Sequence, residues 1–535
     1  MGSSLAEETV ESIPVVTTPT APARTVALNK RLIILALMLA TALSALDGTV
    51  VATALPTIVG VLGGLPLYSL VVSAYLLTAT TTVPLYGKLA DMYGRKPVFM
   101  AGSGLFILGS ALCGLAWDMP SLIAFRAVQG IGAGAVLPIS LTIIGDLFDL
   151  EERARMQGVF GAVWGISSIV GPLVGGALVQ FADWRWVFFI NVPIGIFSSL
   201  LFFLYLREPH IHSRGRVDIM GGITLTVGAG LALLALQEGG RAGWLSPQVV
   251  LLGMGAIVLL TLFALFEKRA TSPILTLSLL SRPLLMVACV VGMLAGGVLV
   301  GFAAYVPLVA QGAWGGTPIE AGLVIAPLSI GWPLASSQSG KLVKRFGFRA
   351  LAVAGMFTLM AGCLLMLTVG LPGISDNGVL RAVVVVLASL VCGVGFGLNT
   401  TTMLIAVQSS VPWSERGIST ATVQFFRNIG NAGGAALLGA ILTATLAPQL
   451  ASERIQALVR QMPPEALKAG SDATLGPVNA LFDLATRAIL SPQTRQALQE
   501  ALANSLWWVF FGMLVMSALA ALFVLRFPRV VKLEE

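Results

Sequence analysis

Two ionisable residues sit where charge is expensive. Asp47 lies inside the apolar run 32–56, and Arg126 inside the run 120–143. An ionisable group at membrane depth marks a functional site by default. A carboxyl can exchange a proton with water, so Asp47 is the candidate proton carrier. A positively charged solute beside it would compete with that proton for one carboxylate. Arg126 cannot lose its proton, so it needs an anion, carbonyls or water next to it.

A second constellation is polar and basic. Gly87-Lys88-Leu89-Ala90-Asp91, followed by Gly94-Arg95-Lys96, is wedged between two apolar runs. A degenerate copy, GKLVKRFGFRAL, occupies 340–351. The repeat extends further. Gly130, Gly132 and Gly134 align with Gly393, Gly395 and Gly397, and the same offset carries Arg153 to Arg416, Gly171 to Gly434 and Gly176 to Gly439. The glycines persist, as close helix packing requires. The charges do not: Asp91 becomes Lys344, and Arg126 becomes Ser389. Charges kept in one copy are working parts rather than packing parts. Asp91, with Arg95 and Lys96, caps one end of its apolar run. A carboxylate there suits the positive N-terminal end of a helix, near Ser414–Glu415. Asp146 and Arg153 flank the next turn on the same side and are expected in this network.

These residues need membrane helices to hold them. The chain of 535 residues is 56% hydrophobic and only 11% charged, with mean hydropathy +0.90. Soluble domains carry about 25% charged residues. About 20 apolar residues span a bilayer as a helix. Fourteen such runs are read: 32–56, 66–87, 97–116, 120–143, 156–180, 185–206, 217–237, 247–267, 284–311, 319–340, 349–370, 379–408, 416–445 and 504–526. None alternates as barrel strands do. The net charge of +7 does not indicate nucleic acid, because the basic residues gather in short turns. With the N-terminus inside, the inner turns carry most of them, including Lys88, Arg95, Arg153, Lys268, Lys344 and Arg416. The short outer turns carry Arg185, Arg241 and Arg381. That is the positive-inside pattern, with both termini cytoplasmic.

The spacing of the repeats exceeds one six-helix half and places 217–267 between two halves as an insert. Such duplication builds many alternating-access transporters. The expected organisation is a disordered tail over 1–31, a six-helix bundle over 32–206, a linker with two inserted helices over 207–283, and a second bundle over 284–535. Within it, 446–503 is an outer segment. Ile455, Leu458, Val459 and Met462, then Leu481, Leu484, Ala488 and Ile489, recur there at helical spacing, as in short amphipathic helices on the outer surface. No cleavable signal peptide is apparent. Cys113, Cys289, Cys363 and Cys392 all lie in apolar runs as buried small residues. The absence of a GxxxxGK[ST] loop argues against an ATP-driven pump. His210 and His212 lack further ligands, so no metal or cofactor is expected.

A polar cluster, Arg427 with Asn428 and Asn431, interrupts the thirteenth run. Tyr75, Trp164, Tyr305, Trp332, Asn399 and Gln424 are the other candidates for the wall of a central substrate cavity.

Taken together, the chain resembles the major facilitator superfamily, and within it the fourteen-helix drug:proton antiporter group. Leu46-Asp47-Gly48-Thr49-Val50-Val51 with Ala54-Leu55-Pro56 is similar to that group's first-helix signature. The Gly87–Lys96 patch resembles the superfamily loop motif. Arg126 with Gln129-Gly130 resembles the fourth-helix motif. Gly165, Gly171-Pro172 and Gly175-Gly176 resemble the antiporter motif. Trp184-Arg185-Trp186 with Phe189, Asn191 and Pro193 is similar to the start of the sixth helix. The resemblance implies an all-α membrane protein with no enzymatic activity, in the cytoplasmic membrane. It implies export of hydrophobic, often cationic compounds in exchange for protons. Asp47 would couple and Arg126 would sense or assist its protonation. The loop motif would latch the halves in the outward-open state, and the antiporter motif, through a kink and close packing, would favour export and block leak. Small substrates, protons and lipid are the expected partners, with a monomer favoured. Export of a lipid or other lipophilic product, and a non-transporting receptor or scaffold, are the alternatives.

Overall fold

The computed structural model describes residues 26–27, 29–62, 68–208, 219–269, 281–316, 318–371, 374, 377–463, 476–481 and 484–528. Each of the fourteen apolar runs falls on a helix. The first half holds α1 (Lys30–Leu62), α2 (Tyr68–Tyr93), α3 (Arg95–Gly114), α4 (Met119–Leu147), α5 (Leu150–Phe181), and the consecutive α6 (Trp186–Phe189) and α7 (Asn191–Tyr205). Then come α8 (Ile219–Ala242) and α9 (Pro247–Arg269). They are followed by α10 (Pro283–Leu308), α11 (Pro318–Thr368), α12 (Gly378–Ser409) and α13 (Arg416–Leu450). The short α14 (Glu453–Val459) and α15 (Leu484–Ile489) precede α16 (Pro492–Val524). Ten stretches among the described residues are long and apolar enough to cross a membrane, so this is a multi-pass membrane protein. With no water in the bilayer core, helices keep every backbone group satisfied internally.

The repeat is visible in the backbone. Gly94 lies between α2 and α3 with φ +94°, and Gly347 breaks α11 with φ +82°. They occupy the same place in the two copies of the loop motif. Only glycine enters that region without a steric penalty. The paired glycines of α4 and α12 also do the same work. Gly130 and Gly134 press on α2, at Tyr75 and Ala79, whereas Gly132 faces Phe106 of α3. Gly393 and Gly397 press on Leu328 and Trp332 in the first part of α11, whereas Gly395 faces Leu359 in the second.

Packing follows from these contacts. In the first half α1 packs on α5 and α7, α2 on α4, and α3 on α4 and α7. In the second, α10 packs on α13 and α16, and α11 on α12 and α16. Across the middle, α5 meets α11 and α2 meets α13. Helices α8 and α9 pack on each other, and α8 bridges α2 and α13. A small apolar cluster fixes that bridge: Val83 of α2, Leu225 and Ala229 of α8, Phe263 of α9, and Ala421 and Phe425 of α13.

Two expectations change. Val26–Ala27, expected in a disordered tail, pairs antiparallel as β1 with β2 (Leu206–Arg207), while 1–25 lies outside the described residues. The connection between the two long helices is shorter than the segment 446–503, because α13 continues to Leu450 and α16 begins at Pro492. Ala488 and Ile489 of its short helices are exposed. Ile455, Met462, Leu481 and Leu490 are buried in the core built on α10 to α16, where more apolar area leaves water than on an exposed face. Residues 464–475, and His210 and His212 of the linker, lie outside the described residues.

Candidate functional site: a buried ion pair beside a central cavity

Asp47 of α1 and Arg126 of α4 meet. Both are 1% exposed. Arg126 Nη1 donates to Asp47 Oδ2 at 2.6 Å. Gln129 Nε2 and Asn191 Nδ2 donate to Asp47 Oδ1 at 2.8 and 3.1 Å. Two charges and two amides, drawn from the three helices α1, α4 and α7, thus meet at one carboxylate, with α3 behind them. Ser110 of α3 holds Asn191, accepting from its Nδ2 at 3.1 Å. Arg126 also donates to Gln129 Oε1 at 2.8 Å and, through Nε, to the Val71 carbonyl at 3.3 Å. A buried charge pair is tolerable only with such supporting hydrogen bonds. The ring of Tyr75 covers the guanidinium, 4.1 Å from its centroid.

A cavity of about 910 Å³ lies between the halves. Tyr75, Trp164, Trp332, Asn399, Gln424 and Arg427 line it, together with Asn428 and Asn431. Tyr305 does not. It packs in the apolar core, behind Gly439, where a Cβ would lie 3.5 Å from the tyrosine hydroxyl. Glu238 of α8 also lines the cavity. It lies one residue beyond the apolar run 217–237, and the placement of α8 against α13 brings it to the wall. Ser44, Ala45, Gly48 and Thr49 of α1 are on the wall, but Asp47 is not. Direct competition between solute and proton on that carboxylate does not fit this conformation. Its oxygens are already taken by Arg126, Gln129 and Asn191, and Tyr75 stands between Arg126 and the open space.

The loop motif builds a second polar site at the end bearing the basic turns. Asp91 accepts the amides of Gly417 and Ile418, at the start of α13, at 3.0 and 2.7 Å. Arg95 reaches Asp91 at 2.9 Å and Asp146 at 3.2 Å, and donates to the Trp413 carbonyl at 2.8 Å. Its guanidinium lies 3.9 Å from the centroid of the Trp413 ring. Gly87 packs against Gly417 and Ala421, where any side chain would collide. Lys96 turns away, donating to the Phe203 and Leu206 carbonyls at 2.7 and 2.8 Å. Arg153 does not take Asp146 as an ion-pair partner. It donates to the Phe148 carbonyl at 2.8 Å and to Ser409 Oγ at 3.3 Å. Arg416 faces Asp146 instead, at 3.5 Å. Sequence reading missed Arg416, although the repeat aligned it with Arg153. It also missed Trp413 and Glu208, which accepts the Arg95 and Lys96 amides at 2.8 Å each.

Residues 37–435 match the profile described as Major Facilitator Superfamily. This chain belongs to that superfamily. Superfamily relatives align over nearly its whole length. The chain is 36% identical to the Multidrug transporter protein MdtP of Bacillus subtilis, across 95% of this chain and 94% of that protein. It is 33% identical to Multidrug resistance protein 3 of the same organism, across 93% of this chain and 95% of that protein. The superfamily fold recurs in the proton:xylose symporter XylE, with a TM-score of 0.56 at 13% identity, covering 93% of this chain and 96% of that one.

Within this superfamily fold, the glycine-rich stretch Gly165–Gly176 of α5 faces two neighbours. A Cβ on Gly165 would lie 3.2 Å from Ser329 of α11. Gly171 abuts the Thr49 side chain of α1, whose hydroxyl donates to the Ser167 carbonyl at 3.3 Å. Gly175 is buried. Pro172 and Gly176 lie on α5, outside the residues whose side chains are described. The helix continues through them to Phe181.

Proposed function

We propose that this protein exports hydrophobic small molecules, cations among them, across the cytoplasmic membrane in exchange for protons. The bundles 32–206 and 284–535 would alternate around the central cavity, with the inserted helices beside them and both termini cytoplasmic. The observation that carries the reading is the Asp47–Arg126 pair, buried directly behind a cavity wall of which Tyr75 is a shared part. Support also comes from relatives that align end to end and are named multidrug transporters.

The mechanism follows from the electrostatics. With Asp47 ionised, the pair is neutral and stable. A proton on Asp47 leaves Arg126 as an uncompensated buried charge, a situation that costs about 3–5 kcal/mol. The helices can relieve this by letting water reach Arg126, which moves Tyr75 and reshapes the wall. Cargo and proton are then linked through the wall rather than through one shared carboxylate. In the conformation described, the halves are joined at the end bearing the basic turns, through Asp91, Arg95 and Arg416. That fits an outward-open state held by the loop motif.

The deciding experiment is substrate-induced proton release from proteoliposomes, comparing wild type with Asp47→Asn. The wild type should release protons when an ethidium-like dye is added, and the variant should not. Equal release from both removes Asp47 from the mechanism.

A further inference from the structure

Gln424, Arg427, Asn428 and Asn431 recur at helical spacing on α13, and all four line the central cavity. They form one polar stripe on a wall that is otherwise largely apolar. Arg427 differs from Arg126. The buried arginines Arg95 and Arg126 each face a carboxylate, at 2.9 and 2.6 Å, whereas Arg427 is half-buried. Among the described residues Arg427 has no such partner and makes no side-chain hydrogen bond. Beside it, Gln424 is 3% exposed, with Nε2 left without an acceptor. The Asn431 amide is also unsatisfied, at Oδ1.

The neighbouring helix leaves room for this stripe. Gly292 of α10 lines the cavity, with nothing within 4 Å of where its Cβ would be. At Gly296 a Cβ would lie 3.3 Å from Arg427 Cγ and 2.8 Å from Asn431 Oδ1. Glycine there lets the two polar side chains stand where they do. The other charged residue on the wall among those described is Glu238 of α8.

A guanidinium and an unsatisfied amide donor, side by side in a cavity, require acceptors. We propose that this stripe is a subsite for the carboxylate or phosphate of an amphipathic organic acid, held by Arg427 and Gln424. The apolar body of the molecule lies against Trp332, Leu299 and Val300, which share the wall. The planar guanidinium suits such an anion because it donates two parallel hydrogen bonds. The cargo therefore includes organic anions as well as neutral and cationic compounds. The proposal rests on reading this cavity as the substrate site.

The test uses the full-length protein in nanodiscs of zwitterionic lipid. The probes are dansylaminoundecanoate and its methyl ester, at about pH 8, where a free carboxyl is ionised. Wild type should bind the acid at least about tenfold more tightly than the ester, as a charge-assisted hydrogen bond supplies. Arg427→Gln should abolish that preference by weakening the acid alone, and Arg427→Lys should keep part of it. Unchanged ester binding shows that the variants are folded. Equal binding of acid and ester by wild type overturns the subsite. So does a loss of both in Arg427→Gln while Arg427→Lys matches wild type for both, or a failure of wild type to bind either probe. Lysophosphatidate carries the same head chemistry on a membrane lipid. Displacement of the acid by it assigns a lipid source, and no displacement assigns a free acid, both with the subsite intact. Export is read separately, as uptake of the ester driven by a pH gradient in proteoliposomes. Its absence alongside an intact acid preference strikes the export reading and leaves the subsite standing.

Discussion

Tyr75 has two faces: its ring lies 4.1 Å from the Arg126 guanidinium and also lines the central cavity. The tyrosine is therefore the partition between the ion pair and whatever occupies the cavity. Tyr75→Phe keeps the ring and should keep coupled transport. Tyr75→Ala removes the partition and exposes the pair to cavity water. Proteoliposomes carrying Tyr75→Ala should leak protons without substrate, several-fold faster than wild type. A pH-sensitive dye trapped inside reads the leak, and equal leak from both variants rejects the partition.

The ion pair also makes a stability prediction. Asp47→Asn leaves Arg126 without a counter-charge and should lower stability by about 3–5 kcal/mol. Arg126→Gln should cost a similar amount. The double variant should be more stable than either single variant, because no lone charge remains. Thermal unfolding in detergent reads the series, and purely additive losses would contradict direct pairing.

At the other polar site, Asp91 sits on the first amides of α13. Asp91→Asn removes the negative charge from a helix N-terminus, a contact worth up to about 2 kcal/mol when partly buried. The joined arrangement should lose population by roughly tenfold. Spin labels at Arg155→Cys and Lys341→Cys, both exposed on opposite sides of this rim, should report longer distances. Unchanged distances would mean that Asp91 caps α13 without holding the halves together.

Glycine packing gives a fourth expectation. A Cβ on Gly395 would lie 2.5 Å from the Leu359 amide nitrogen, whereas one on Gly253 meets nothing within 4 Å. Gly395→Val should destabilise the protein by about 1–3 kcal/mol or prevent folding. Gly253→Val should leave the melting temperature nearly unchanged.

Much of this was legible in the sequence. The helices showed because lipid demands long apolar runs, and the repeat showed because close packing preserves glycine. Asp47 and Arg126 stood out as lone charges, but their meeting depends on how α1 and α4 cross, which spacing along either helix does not reveal. Gln129 and Asn191 were visible only as motif letters. Tyr305 was misplaced because an aromatic in an apolar run can face a neighbour or a cavity with equal ease. Trp413 precedes, and Arg416 begins, a helix whose end meets the first half, and Glu208 follows β2. Their partners are distant in the chain, so local pattern was silent about them.

Duplication handed both halves the same reversing turn, at Gly94 and at Gly347, but the second lost its acid. Where Asp91 grips α13, Lys344 meets Glu151 at 3.0 Å with both side chains more than two-fifths exposed to solvent, and exposed pairs of this kind contribute little. On the proposed alternation, the half that kept Asp91 would grip its neighbour more firmly than the half that lost it, and inherited symmetry would thereby become directional machinery.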